Sequence, residues 1–159
     1  MVKTMKTLLA LLLLIPNLVR ADLNEYKLYL NELDSPIAKV VTCFRMYDIL
    51  ASSVELATYD LILKNQHDKA EKLLGTFYNN KARAIFINKL AERDGLLDIL
   101  NKSYEVGAEM DYLSKDIQKF ISPICVVELN NYMKEFKNLS RDAYDESEIY
   151  INNFLDERL

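Results

Sequence analysis

The feature that most constrains this chain is a period. From Asp68 to Ile121 apolar side chains return every three or four residues, the spacing that gathers them onto one stripe of an α-helix. Val106, Met110, Leu113, Ile117 and Phe120 show it most clearly, at i, i+4, i+7, i+11 and i+14. Such a stripe is stable only against another apolar surface, so the chain must pack helix on helix. Three Gly and three Pro in 159 residues leave little turn chemistry for a many-stranded sheet. Half the residues are apolar, enough at this length for one domain with a sizeable core. The expected fold is all-α: a single compact bundle of about five to seven amphipathic helices.

Residues 1–21 read as a secretory signal peptide and 22–159 as the exported helical domain. Lys3 and Lys6 form a basic start, Leu8 to Ile15 an apolar run of eight, and Pro16 breaks it before Val19-Arg20-Ala21, with cleavage after Ala21. A membrane anchor needs about twenty apolar residues, and no later stretch supplies them, so no integral membrane segment is expected. Losing Lys3, Lys6 and Arg20 leaves seventeen basic against twenty-four acidic residues, a net charge near −7. That sign disfavours nucleic acid and anionic membrane surfaces as partners.

Export bears on Cys43 and Cys125, the only cysteines. An oxidising compartment lets them close a disulfide around about eighty residues; free buried thiols and an intermolecular pair are the alternatives. Export also makes the sequons at Asn101 (Asn101-Lys102-Ser103) and Asn138 (Asn138-Leu139-Ser140) candidate glycosylation sites.

Along the chain, Leu23, Tyr26, Leu30 and Leu33 mark a first short helix. Ser35 and Pro36 are placed as N-cap and first residue of a second, which runs to about Asn65 with a kink near Leu50 to Ser53. A helix from Asp68 is expected to break at Tyr78-Asn79-Asn80, and Asp94-Gly95 reads as a turn or C-cap. Leu96 opens another helix, and Gly107 lets the chain bend. Ser122-Pro123 repeats the cap-and-proline arrangement, and Ser-Pro-Ile with a Val-Val pair and a cysteine nearby at both places hints at an internal repeat. Val126, Leu129, Met133 and Phe136 then share one side of a helix. The acidic tail from Ser140 reads as a last, loosely held helix.

Catalytic signatures are missing. His67 is the only histidine, which excludes histidine pairs for metal, and no Ser-His-Asp constellation is read around it. It reads as a solvated residue at a helix start. Asp142, Asp145, Glu146 and Glu148 lack the glycine and alternate spacing of a calcium loop and read as a solvated face. There is no glycine-rich phosphate loop, and neither metal nor cofactor is expected. Ten tyrosines and six phenylalanines are able to line an apolar pocket, but by spacing alone they read as core.

Leu23 to Ile121 also resembles one unit of the insect allergen-related repeat, the family of cockroach group 1 allergens, mosquito microvillar midgut proteins and butterfly nitrile-specifier proteins. The likeness is an order of features. A short amphipathic helix (Leu23 to Leu33) precedes a helix ending at Tyr47-Asp48, then an alternating helix (Val54 to Leu63) and a charged link (Asn65 to Lys69). Leu73-Leu74, Phe86 to Leu90, Leu96-Leu97-Asp98-Ile99-Leu100 and Gly107-Ala108-Glu109-Met110 follow. The cysteine pair is not a hallmark of that family, and the chain after Ser122 does not form a complete second unit.

The resemblance implies a secreted insect protein of gut or another secretory epithelium whose helices enclose apolar space for fatty-acyl chains. Phe44, Leu61, Phe77, Phe86, Met110 and Leu113 are the expected lining of that space. Nitrile-specifier activity is not implied, because nothing here matches its residues. The expected function is therefore a non-enzymatic, extracellular carrier of fatty-acyl or other small apolar ligands. The alternative is a secreted effector of salivary, venom or immune type, with a solid core and a protein partner.

Overall fold

A computed structural model describes residues 23–107 and 115–158. Among these the chain is all-α, in six helical rods. The first is α1 (23–32). The second comprises α2 (Pro36–Val41) and α3 (Phe44–Leu63), separated by a turn at Thr42 and Cys43. Then come α4 (His67–Asp94) and α5 (Leu97–Val106). The fifth rod runs unbroken through α6 (Lys115–Ser122), a π-helical segment (Pro123–Glu128) and α7 (Leu129–Glu135), and α8 (Lys137–Asp156) is the last.

The longest helix organises the rest. α4 packs most extensively on α3 and next on α8. Ala70, Ala82, Ala84 and Ala91 are buried along it, and side chains this small let neighbouring backbones come close. Its C-terminus is set by Gly95, whose φ of 69° is the left-handed cap. Leu96 then donates its N–H back to the Ala91 carbonyl at 2.8 Å.

Two apolar clusters fill the bundle. The larger gathers Tyr26, Val40, Val41, Tyr47, Phe86, Ile87, Leu90, Ile117, Leu129 and Ala143 around the cysteines. The smaller joins Ala51, Ile62, Ala70, Phe77, Ile151 and Phe154 from α3, α4 and α8. The disulfide between Cys43 and Cys125 is formed, with the Cα atoms 5.4 Å apart. Ser35 caps α2 as expected, its Oγ accepting from the Ala38 N–H at 3.5 Å.

Several boundaries differ from the sequence expectation. α4 does not break at Tyr78-Asn79-Asn80. Asn79 donates its amide to the Gly75 carbonyl at 2.8 Å, and the Tyr78 carbonyl accepts from Ser147 at 2.9 Å, so the polar run is satisfied without leaving the helix. The bend expected near Leu50 to Ser53 lies instead at Thr42 and Cys43. There the Thr42 hydroxyl donates to the Lys39 carbonyl at 2.7 Å and meets the Tyr26 hydroxyl at 2.9 Å.

Ser122 is not a cap, because the helix passes through Pro123 as a π turn. A proline cannot donate to the carbonyl four residues back, and one extra residue in the turn accommodates it. That extra residue also turns Val126 out to 38 % exposure, while Leu129 and Met133 keep the buried side. The tail is firmly packed: Ala143, Ser147, Ile151 and Phe154 of α8 are buried, and Phe77 meets the Phe154 ring edge-on at 5.6 Å. α5 ends at Val106 and the chain turns at Gly107, where the sequence places a bend; Met110 and Leu113 of the stripe lie outside the described residues. Among the described residues no helix is long and apolar enough to cross a membrane.

Candidate functional site

The most distinctive local chemistry lies beside the disulfide, where α3, α4 and α6 meet. A cleft of about 260 Å³ opens there. α3 contributes Met46, Tyr47 and Leu50; α4 contributes Asn80 and Arg83; α6 contributes Gln118, Ile121 and Ser122; and the π segment contributes Val126. Met46, Leu50, Ile121 and Val126 make the wall apolar. Val126 comes from the π turn, and interruptions of this kind recur at functional sites.

A partly buried polar relay runs beside the wall. Tyr47, 2 % exposed, donates its hydroxyl to the Cys125 carbonyl at 2.6 Å and accepts from Arg83 Nη1 at 2.9 Å. Arg83 Nη2 donates to Asn130 Oδ1 at 3.3 Å, and the guanidinium lies 5.2 Å from the centre of the Tyr47 ring. Burial pushes the Tyr47 pKa up, and the adjacent Arg83 charge opposes that rise without cancelling it. Among the described residues Arg83 has no carboxylate partner, its Nε is buried without an acceptor, and no Asp or Glu lines the cleft. A cation held by neutral groups beside an apolar wall suits a small molecule with an apolar body.

The residues named from sequence as ligand-lining are dispersed. Phe86 is fully buried in the larger cluster and Phe77 in the smaller. Leu61 packs on the smaller cluster. Phe44 edges a separate, charged groove with Asp48, Lys81, Lys89 and Glu146. None of these four lines the cleft beside the disulfide, and Met110 and Leu113 lie outside the described residues.

Both sequon asparagines are exposed, Asn101 on α5 and Asn138 in the first turn of α8, but Ser103 of the first sequon is buried, its hydroxyl donating to the Leu100 carbonyl at 2.7 Å. His67 is exposed at the start of α4. Among the described residues no group of three or more His, Cys, Asp or Glu is placed to hold a metal ion.

Sequence reasoning missed Tyr47, Arg83 and the π turn. Arg83 between Ala82 and Ala84 was the available signal: a cation among small residues that pack inward marks a charge held against a helix interface. The pairing of Tyr47 with a carbonyl 78 residues away leaves no local pattern. No family model matches the chain, and neither does any curated protein or solved structure.

Proposed function

We propose that this is a secreted, non-enzymatic carrier that takes a small apolar ligand into the cleft beside Cys43–Cys125. The observation that carries the proposal is the convergence there of an apolar wall (Met46, Leu50, Ile121, Val126) with a buried tyrosine and an arginine that has no acid partner among the described residues. At about 30 Å³ per water-sized group, the space accommodates roughly nine heavy atoms. That is the body of a short acyl chain, and a longer chain would emerge through the open side. The disulfide supports export, and the resemblance to the insect allergen-related repeat is consistent with an acyl ligand.

The test is native mass spectrometry of the secreted protein purified from its own cells, with extraction and identification of whatever is released. A small apolar molecule is the expected adduct. Val126→Trp, which fills the cleft from an exposed position, is expected to abolish uptake while leaving the helix signal unchanged. A clean mass, together with no binding of medium-chain ligands in titration, would sink the carrier reading.

The second reading is a secreted effector that presents a surface to another protein. It is supported by the two filled clusters and by Leu56 and Leu63, 69 % and 63 % exposed on α3 near Tyr59. A ligand-free protein in both assays is what it expects.

A further inference from the structure

We infer that the cleft is selective for amphiphiles with an anionic carboxylate head, and that Arg83 is the group that reads the charge. This rests on the cleft being the ligand site, and it adds the chemical class of the ligand. The chain carries more acids than bases, twenty-four Asp and Glu against twenty Lys and Arg. Among the described residues Arg45, Lys64, Lys89, Arg93, Lys102 and Arg158 each approach a carboxylate, whereas Arg83 meets a phenol, an amide oxygen and an aromatic ring.

A guanidinium has five N–H donors in a planar fork. Two of them are used on Tyr47 and Asn130, and the Nε–H is buried without an acceptor. The charge is thus partly removed from water and met by neutral groups alone, which leaves unused attraction for an oxyanion arriving from the cleft.

The surroundings sort ligands by sign. Among the described residues no acid lines the cleft to neutralise Arg83 or to welcome an amine, and the Asn80 amide and Ser122 hydroxyl line it as neutral polar groups. A carboxylate at Arg83 leaves its alkyl tail to run over Met46, Leu50, Ile121 and Val126. The relay from Asn130 through Arg83 to Tyr47 and the Cys125 carbonyl holds the guanidinium in place before the ligand arrives. Its ordering is then not a cost of binding.

The experiment is calorimetric titration of the full, disulfide-bonded protein with three eight-carbon probes: octanoate, 1-octanol and octylamine. Octanoate is expected to bind about tenfold or more tighter than octanol, an advantage that shrinks as salt is raised, and octylamine is expected to bind weakest. Arg83→Gln removes the charge and is expected to bring octanoate down to the level at which octanol binds the same variant. Arg83→Lys restores part of the preference.

If octanol binds the unaltered protein as tightly as octanoate, the charge selection is wrong and the carrier reading stands. If none of the three binds, the cleft is not a ligand site and both fall. An octanoate preference that survives Arg83→Gln overturns the assignment to Arg83. The three-probe comparison uses the unaltered protein, so it decides the selection even where a variant fails to fold.

Discussion

At the scale of single residues, two tyrosine hydroxyls link distant parts of the chain. Tyr47 serves a carbonyl of the π segment and a guanidinium of α4 at once. Tyr47→Phe keeps the ring and removes both hydrogen bonds, leaving a buried acceptor and a buried donor short of partners. A loss of about 2 kcal/mol in urea denaturation is expected.

Tyr26 supplies a pH dependence. It is buried and its hydroxyl meets Thr42 Oγ1 at 2.9 Å. Burial pushes its pKa up to about 12, outweighing the hydrogen bond to Thr42, which lowers it. The unfolded chain gives up this proton from about pH 10, whereas the folded chain keeps it until about pH 12. Between those values the native state holds more protons, so stability is complete below pH 10 and falls as pH rises through the window. About 2–3 kcal/mol is expected to go. Tyr26→Phe is expected to flatten the stability profile there, and an unchanged slope in the variant would remove Tyr26 as its cause.

At the scale of elements, what was legible in the sequence is what local spacing controls. Ser35 and Pro36 start a helix, Gly95 ends one, and the helical periods of α1, α3 and α4 appear where apolar spacing places them. Two errors share one cause. Asn79-Asn80 and Ser122-Pro123 are locally unfavourable to an unbroken helix, and what keeps each in one is not read from local spacing: Ser147 on the Tyr78 carbonyl, the π turn around Pro123. The tail is the helix its period predicts, and its firm hold comes from α8 lying on α4.

The two glycines at the middle and end of α4 test the local part. A Cβ added at Gly75 meets nothing within 4 Å, and the residue sits mid-helix, so Gly75→Ala is expected to stabilise by about 1 kcal/mol. Gly95 is equally open but has φ of 69°. Gly95→Ala is therefore expected to destabilise by about 1 kcal/mol through backbone strain alone. Thermal melts of the two variants moving in opposite directions would separate conformation from space.

At the scale of the whole molecule, the crosslink was legible and the site around it was not. Two cysteines permit only one intramolecular pair, whereas the cleft needs α3, α4 and α6 brought together, which no single stretch records. The disulfide spans 82 residues, so it constrains the unfolded chain more than it adds contacts to the folded one. The loop-entropy relation gives up to about 4–5 kcal/mol for such a loop, a large fraction of the roughly 5–15 kcal/mol typical of a domain. Where that stabilisation acts can be tested, because the smaller cluster shares no residue with the cysteines. If the bond merely clamped its neighbours, Cys43→Ala with Cys125→Ala would loosen α2 and the π segment and leave Phe77 and Phe154 as before. If it acts through the unfolded ensemble, global unfolding becomes easier everywhere. The second outcome is expected: native-state hydrogen exchange of the slowest amides should accelerate by a similar factor around Leu90 in the larger cluster and Phe77 in the smaller, with the melting temperature lower by about 10 °C. Acceleration confined to the Cys43 and Cys125 neighbourhood would show instead that the bond is a local clamp.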